Sequence, residues 1–173
     1  MKGVPLLGLL VCGMAMAQGV RVQAVVNGKT KCGNGVHIGV GKVLTVSHLV
    51  SPNSSRIEVE GILSQIERQS GGISLLRVPG LPSPSTKLGT STVEKARWNW
   101  YEWEPKLETG WKNSQARFWC EHTLLTTVHP GQSGSGLYDG SGGLVGLVEK
   151  TNGAVWSLQQ LRTFLQGSSE VKE

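Results

Sequence analysis

The chain has 173 residues, of which 17 are Lys or Arg and 12 are Asp or Glu, giving a formal net charge of +5. This length suits one domain or two small ones. The basic residues are scattered along the chain, so the charge permits weak attraction to anionic surfaces. They do not form the dense patch that is typical of nucleic-acid-binding proteins, and we expect no nucleic-acid partner.

The first 17 residues have the layout of a secretory signal peptide. A basic start at Lys2 precedes an apolar stretch over residues 4–14, and Ala-Met-Ala at residues 15–17 matches a small-x-small cleavage site. The stretch is too short for a membrane span, and a buried N-terminal helix is the alternative interpretation. We expect residues 1–17 to be removed and residues 18–173 to be secreted or periplasmic, with no membrane partner after cleavage.

Apolar and polar residues then alternate with the period of a β-strand. Asn27-Gly28 follows the first alternating run and is a strong hairpin signal. The runs predicted as strands in this half are residues 20–26, 36–46 with a turn at 39–42, 56–63 and 73–78.

A Pro/Ser-rich linker at residues 81–85 separates these runs from a second set of strand-prone segments. The second set comprises residues 98–103, part of 115–128, and 143–149. Only residues 157–166 have helical spacing, with Ser157 as the N-cap and Gly167 as the stop. Many short strands with one late helix predict an all-β sandwich or barrel.

Two segments contain residue types suited to nucleophilic catalysis. His48 follows a short apolar strand within KVLTVSHLV at residues 42–50, and Ser133 lies in GQSGSG at residues 131–136. A serine hydroxyl is a poor nucleophile until a base takes its proton, and imidazole titrates near neutral pH. Glycines beside the serine allow a sharp turn, although Gly/Ser clusters are also common in ordinary loops.

These segments resemble motifs of the chymotrypsin-like (trypsin-fold) serine proteases. VLTVSHLV is similar to the strand-plus-histidine motif VLTAAHC, GQSGSG to the nucleophile motif GDSGG, and GGLVGLVEK to the strand that follows it. The resemblance covers nearly all of residues 18–173. It implies two six-stranded antiparallel β-barrels and a short C-terminal helix, with the N-terminal barrel at about 18–80, the C-terminal barrel at about 87–156 and the helix at about 157–166.

The resemblance also implies the activity and the roles of individual residues. The expected function is serine endopeptidase, with Ser133 as nucleophile and His48 as general base. The N–H groups of Gly131 and Ser133 would form the oxyanion hole. Ser135 lies where the family has a small residue packed behind the site. The expected partner is a polypeptide substrate or peptide ligand, and no cofactor is implied.

The position of the usual triad aspartate is occupied by Gly72. The only aspartate of the chain, Asp139, follows Ser133 and does not fit the family's order. Glu67 is the tentative replacement, and Glu58 and Glu60 are weaker candidates. Alternatively, a Ser–His dyad works with a carbonyl or water, or the protein is a catalytically impaired homologue that binds peptides or proteins.

Residues around the expected substrate groove give weaker indications. Gln132 stands where zymogen-activated members have Asp, so we expect no such activation switch. Thr127 argues against an Arg or Lys preference, whereas His129 and Lys150 would favour an acidic or amide side chain. His129 packing at the base of its loop is the simpler interpretation.

The cysteines and tryptophans leave alternatives open. Cys32 and Cys120 form either one disulfide or two separate thiols. His37 and His122 have no metal-ligand spacing with them, so no metal site is predicted. The default role of the tryptophans is core packing, and an exposed platform for a glycan or peptide is the alternative; the residues concerned are Trp98, Trp100, Trp103, Trp111 and Trp119. The oligomeric state is not indicated.

Overall fold

The computed structural model describes residues 19–103, 109–119, 123–124 and 126–167. Its strands, in chain order, are β1 (Val20–Val26), β2 (Lys29–Gly39), β3 (Lys42–Val46), β4 (Arg56–Val59), β5 (Ile62–Leu63), β6 (Gln65–Ser70), β7 (Ile73–Arg77), β8 (Lys95–Glu102), β9 (Gly110–Trp119), β10 (Thr123–Leu124), β11 (Gly136–Tyr138), β12 (Leu144–Val148) and β13 (Val155–Ser157), followed by the helix α1 (Leu158–Gln166). The predicted signal peptide, Cys120 and His122 lie outside the described residues. Within those ranges, no helix has the length and apolar character needed to cross a membrane.

The first seven strands form one antiparallel sheet in the order β5-β4-β1-β2-β3-β7-β6. Its edge strands, β5 and β6, are separated in the chain by Ser64 alone. Val59 of β4 pairs with Ile62 of β5, whereas Ser70 of β6 pairs with Ile73 of β7. One bent segment therefore closes the sheet on itself into a barrel with six strand positions.

The other six strands form a second antiparallel sheet in the order β10-β9-β8-β11-β12-β13. A single antiparallel bridge joins Thr123 of β10 to Ala154, next to β13, and so connects its two edges. The predicted fold class is confirmed as two antiparallel β-barrels followed by one helix. The limits of the two halves at about 18–80 and 87–156 stay predictions.

The predicted turn at Asn27-Gly28 is present, and both residues have left-handed φ angles of 51° and 75°. The continuous strand predicted over residues 56–63 is wrong, because Glu60-Gly61 forms a second such turn with φ angles of 49° and 78°. The Glu60 carboxylate accepts hydrogen bonds from the Arg21 backbone and guanidinium, which holds this turn. The sequence analysis also missed β6, β11 and β13 as strands.

Two clusters of buried apolar side chains fill the molecule. The larger includes Val22 and Leu44 of the first sheet together with Leu147 of the second. The smaller lies between β8, β11, β12 and β13. The helix contacts both, because Leu161 packs into the larger cluster and Leu158 into the smaller. Apolar burial therefore holds the two sheets and the helix together.

Ser157→Ala is expected to lower the free energy of unfolding by about 1 kcal/mol. Ser157 Oγ accepts a hydrogen bond from the Gln160 N–H at 3.3 Å, and Gln160 Oε1 accepts one from the Ser157 N–H at 2.8 Å. This capping box satisfies two backbone donors at the start of α1. Urea unfolding measures the effect, with exposed Gln159→Ala as the control, expected within about 0.5 kcal/mol of wild type. Equal losses in the two variants would contradict the capping role.

Candidate active site

Ser133 lies in a tight loop between β10 and β11. Gly131 and Gly134 have left-handed φ angles of 91° and 84°, a conformation that favours glycine. The loop is pressed into the molecule, because the Gly134 N–H donates to the carbonyl of Val148 at 2.7 Å. A Cβ on Gly134 would overlap the carbonyl oxygen of Asn34. Ser133 itself is buried. The GQSGSG sequence therefore forms a constrained turn between the two sheets.

Asn34 of β2 fixes this loop from the first sheet. Its side chain is fully buried, and Nδ2 donates to the carbonyl of Gly131 at 2.8 Å. Oδ1 accepts from the N–H of Tyr101 at 2.7 Å. The Asn34 backbone N–H also donates to the carbonyl of Ser133 at 2.8 Å. One residue thus ties the loop to β2 and to the end of β8. The sequence analysis assigned no role to Asn34.

The backbone N–H groups of Gly131 and Ser133 have no hydrogen-bond acceptor among the described residues. Neighbouring N–H groups of the loop are paired, since Gln132 donates to the His129 carbonyl and Ser135 to that of Gln132. Two free donors on either side of Gln132 are the arrangement that an oxyanion hole requires. A Cβ on Gly131 would come within 3.0 Å of Cβ of Trp103, so this indole backs the loop.

His48 follows the end of β3 and is exposed. Its backbone carbonyl accepts a hydrogen bond from Lys31 Nζ at 3.2 Å. The next residue, Leu49, packs against Gly33, where an added Cβ would lie 2.5 Å from Leu49 Cδ2 and 3.0 Å from the Ser133 carbonyl oxygen. The segment of β2 around Gly33 therefore lies between the backbone beside His48 and the backbone of Ser133.

Protein atoms around the His48 imidazole lower its pKa by partial desolvation, because the charged form loses contact with water. The Glu149 carboxylate acts in the opposite direction and raises this pKa, whereas Lys31 and Lys150 lower it. The net direction is downward from the ordinary value. A lowered pKa keeps the ring neutral at physiological pH, as a general base requires.

The space beside Gly72 is occupied by two side chains from the second sheet. A Cβ on Gly72 would lie 2.6 Å from Cζ2 of Trp156 and 3.4 Å from Oε1 of Glu149. The Gly72 carbonyl accepts a hydrogen bond from the Ser47 N–H at 2.8 Å, directly before His48. Absence of a side chain at residue 72 thus admits Trp156 and Glu149 to this position. The sequence analysis did not single out Glu149.

Glu67, the tentative acid, is not brought to His48. Its carboxylate pairs with Lys42 Nζ, and Arg77 Nη2 lies 3.9 Å away. Lys42 is the first residue of β3 and lies opposite Arg77 of the neighbouring strand β7. His48 follows the other end of β3, so Glu67 lies at the wrong end of the strand to reach it. The hydrogen bond from Lys42 lowers the pKa of Glu67, so that the carboxylate stays ionised in this pair.

The two weaker acid candidates and Asp139 also have other roles. Glu60 pairs with Arg21, and Glu58 with Arg56. Asp139 Oδ1 accepts hydrogen bonds from Ser141 and from the N–H of Gly143, which shape the turn after β11. None of these carboxylates is positioned beside His48 by the contacts in the described part of the chain.

The three residues predicted to line the substrate groove, Thr127, His129 and Lys150, are exposed. His129 is anchored through its backbone, because its N–H donates to Oε1 of Gln132 at 2.6 Å. Gln132 is buried and braces the base of the nucleophile loop. Lys150 Nζ lies 4.0 Å from Oε1 of Glu149.

Ser135 has a structural role. Its Oγ donates to the carbonyl of Gln132 at 2.6 Å and accepts from Trp98 Nε1 at 2.8 Å, fully buried. Trp98 is buried, and its ring centroid lies 4.3 Å from that of Trp100. Trp103 Nε1 donates to the carbonyl of Gly33 at 2.9 Å. Trp98 and Trp103 therefore brace the backbone around the site, and buried Trp98 cannot belong to an exposed platform.

Cys32 carries a free thiol, which accepts a hydrogen bond from Gln23 Nε2 at 3.7 Å. Cys120, the other cysteine of the predicted bridge, lies outside the described residues. His37 is buried, its Nδ1 is 2.8 Å from the carbonyl of Ser83, and Nε2 accepts from the Gly41 N–H at 3.3 Å. His37 thus joins the first sheet to the linker.

Solved structures of proteases have this fold. A mutant of Rv3671c from M. tuberculosis H37Rv, in its inactive form, matches with a TM-score of 0.73 and 17% identity over 99% of this chain and 98% of its own. A variant of the HtrA-type protease AlgW with tripeptide matches with a TM-score of 0.70 and 16% identity over 92% of this chain and 62% of its own. A human pathogenic astrovirus serine protease matches with a TM-score of 0.60 and 17% identity, over 82% and 86% of the two chains.

No protein-family model and no curated protein matches the sequence. At these identities the structural likeness establishes the fold, which is the chymotrypsin-like double β-barrel of the trypsin-like and HtrA-type serine proteases. The fold predicted from the histidine and serine motifs is confirmed. The chemistry of the site depends on its own residues.

Proposed function

We propose that the protein is a serine endopeptidase in which Ser133 is the nucleophile and His48 the general base. The observation that carries this proposal is the loop around Ser133, which is buried between left-handed glycines and has two free N–H groups at Gly131 and Ser133. A turn needed only to connect β10 to β11 would not require this costly arrangement.

The mechanism follows from the residues of the loop and of β3. His48 takes the hydroxyl proton of Ser133 while Oγ attacks the carbonyl carbon of the scissile peptide. The developing oxyanion accepts hydrogen bonds from the N–H groups of Gly131 and Ser133. His48 then gives its proton to the leaving amine, and a water activated by the same imidazole releases the acyl group from Ser133.

The proposed substrate is a polypeptide that lies between the two barrels. AlgW, which has the same fold, was crystallised with tripeptide and with decapeptide. Thr127, His129 and Lys150 are exposed and available to a substrate side chain. Their chemistry favours an acidic or amide side chain over Arg or Lys. The signal-peptide pattern supports action outside the cytoplasm, secreted or periplasmic.

A second candidate function is a catalytically impaired homologue that binds peptides in the same groove. Gly72 supports it, because the usual acid is absent there and Glu67 is bound to Lys42 instead. Loss of the triad aspartate costs about 10⁴ in turnover in well-studied enzymes, although the serine, histidine and oxyanion hole retain residual catalysis.

Covalent labelling of residues 18–173 with a fluorophosphonate probe tests the proposed activity. Wild type is expected to be labelled, and Ser133→Ala and His48→Ala are each expected to lower the labelling rate by at least about 10³-fold. Ser135→Ala is a serine control, whose remaining Ser133 must still be labelled if the variant folds. A folded wild-type protein that is not labelled would favour the peptide-binding homologue, and labelling retained in Ser133→Ala would refute the nucleophile.

A further inference from the structure

The space beside Gly72, where the resemblance places the acid, is occupied by side chains from the opposite barrel. Val46 of β3 pairs with Ile73 of β7, and the Ser47 N–H donates to the carbonyl of Gly72. A side chain on residue 72 would therefore start close to the backbone that leads into His48. Because residue 72 is glycine, that volume is open to the end of β12, where Oε1 of Glu149 lies 3.4 Å from the Cβ position.

The backbone holds Glu149 at this place. Val148 is bound to the nucleophile loop twice, because its carbonyl accepts from the Gly134 N–H at 2.7 Å and its N–H donates to the Ser135 carbonyl at 2.9 Å. The Glu149 N–H in turn donates to the carbonyl of Ala154 at 2.8 Å. The same strand end therefore fixes both the loop of Ser133 and the carboxylate beside Gly72.

The Glu149 carboxylate is available for a hydrogen bond. Among the described residues no donor is within hydrogen-bond distance of it, and the nearest cation is Lys150 Nζ at 4.0 Å. By contrast, Glu58, Glu60 and Glu67 are each paired with Arg or Lys. The Glu149 side chain is three-quarters buried, at 25% exposure, where a carboxylate without a hydrogen bond interacts strongly with a nearby cation.

We propose that Glu149 replaces the missing triad aspartate, accepting the Nδ1–H of His48 and stabilising the imidazolium that forms during catalysis. The proposal rests on the proposed function of Ser133 and His48. Glu149 is a positioning residue that acts through His48 and does not contact the substrate. The electrostatic effect of Glu149 on His48 supports the pairing, and Lys31 and Lys150 are the charged groups that oppose it.

Trp156 explains why the acid comes from β12 instead of from residue 72. Its Cζ2 would lie 2.6 Å from a Cβ on Gly72, so even an alanine there requires the indole to move. The glycine, the indole and the glutamate thus form one packing arrangement at residue 72. A side chain at residue 72 would displace the indole and crowd Glu149, so this packing allows an acid from residue 149 or from residue 72 but not from both.

The test compares Glu149→Gln, Glu149→Asp, Glu67→Gln and, as a control at an exposed carboxylate, Glu94→Gln. The readout is the second-order rate constant of fluorophosphonate labelling as a function of pH. Glu149→Gln is expected to lower this rate by about 10²–10⁴-fold. Glu149→Asp, which keeps the charge with a shorter reach, is expected to fall between wild type and Glu149→Gln. A loss of twofold or less in Glu149→Gln, or a larger loss in Glu67→Gln, would overturn the proposal.

A second readout does not depend on activity. The His48 ring is titrated by NMR in a Ser133→Ala background, with the His48→Ala spectrum as the assignment. Removing the carboxylate removes stabilisation of the imidazolium, so Glu149→Gln is expected to lower the pKa of His48 further. An unchanged His48 pKa would overturn the pairing even if the labelling rate fell. If wild type is not labelled but the titration shifts, the proposed function fails while the pairing holds.

Discussion

Gly134→Ala is expected to abolish fluorophosphonate labelling and to lower the free energy of unfolding by about 3–5 kcal/mol. The φ angle of Gly134 is 84°, which is costly for any residue with a Cβ. The added methyl would also overlap the carbonyl oxygen of Asn34 and lie 2.7 Å from Thr45 Oγ1. Both neighbours are buried in β2 and β3, so they cannot move aside without disrupting the first sheet.

Gly140→Ala is the matched control for this substitution. Gly140 is an exposed residue in the turn after β11, and an added Cβ there would have no heavy atom within 4 Å. Its expected effect on unfolding is within about 0.5 kcal/mol. Thermal unfolding and labelling are measured on both variants. A Gly134→Ala protein with wild-type stability and labelling would contradict the described packing of the nucleophile loop.

The sequence predicted the parts of the site that are encoded locally. Ser133 and its glycines lie within six consecutive residues, and His48 ends a short apolar strand. Each motif contains both the chemistry and the backbone conformation that presents it, so the motif indicates the local structure directly. The strand periodicity and the hairpin at Asn27-Gly28 similarly predicted most of the first sheet.

The acid could not be predicted in this way, because its position depends on contacts between the two sheets. Glu67 was chosen for its closeness to Gly72 in the chain. Along an extended strand, however, five residues span roughly 16 Å, and the β6–β7 hairpin directs Glu67 toward Lys42. Glu149 is far from Gly72 in the sequence, yet its Oε1 approaches the Cβ position of that glycine. The available signal was an acidic residue directly after the apolar strand β12.

Asn34 illustrates a second limit of sequence analysis. Asn between two glycines in a hairpin is typical of a turn residue, because Asn tolerates such backbone conformations. Here Asn34 lies within β2, is fully buried, and hydrogen-bonds to segments 67 and 97 residues away in the chain. A polar side chain in a strand interior therefore had a tertiary function that no local pattern indicated.

Asn34→Ala is expected to lower the labelling rate by on the order of 100-fold, comparable to the loss of an oxyanion-hole donor. The substitution removes the hydrogen bond to the carbonyl of Gly131 and leaves the N–H of Tyr101 without its acceptor. Unsatisfied buried groups of this kind cost about 1–3 kcal/mol each. The peptide between Gly131 and Gln132 then loses a contact that fixes its orientation. The backbone angles of Gly131 are less restricted as a result, and so is the direction of the preceding Gly131 N–H toward the oxyanion.

Asn99→Ala separates this effect from a general loss of stability. Asn99 is also a buried asparagine, and its side chain accepts from the Gly19 N–H at 2.8 Å and donates to the Lys112 carbonyl at 3.2 Å, two groups outside the nucleophile loop. Both substitutions are expected to cost about 2–4 kcal/mol in urea unfolding. Only Asn34→Ala should slow the labelling of the folded protein, since only Asn34 contacts the carbonyl of Gly131. Equal labelling rates in the two folded variants would mean that the loop holds its conformation without Asn34.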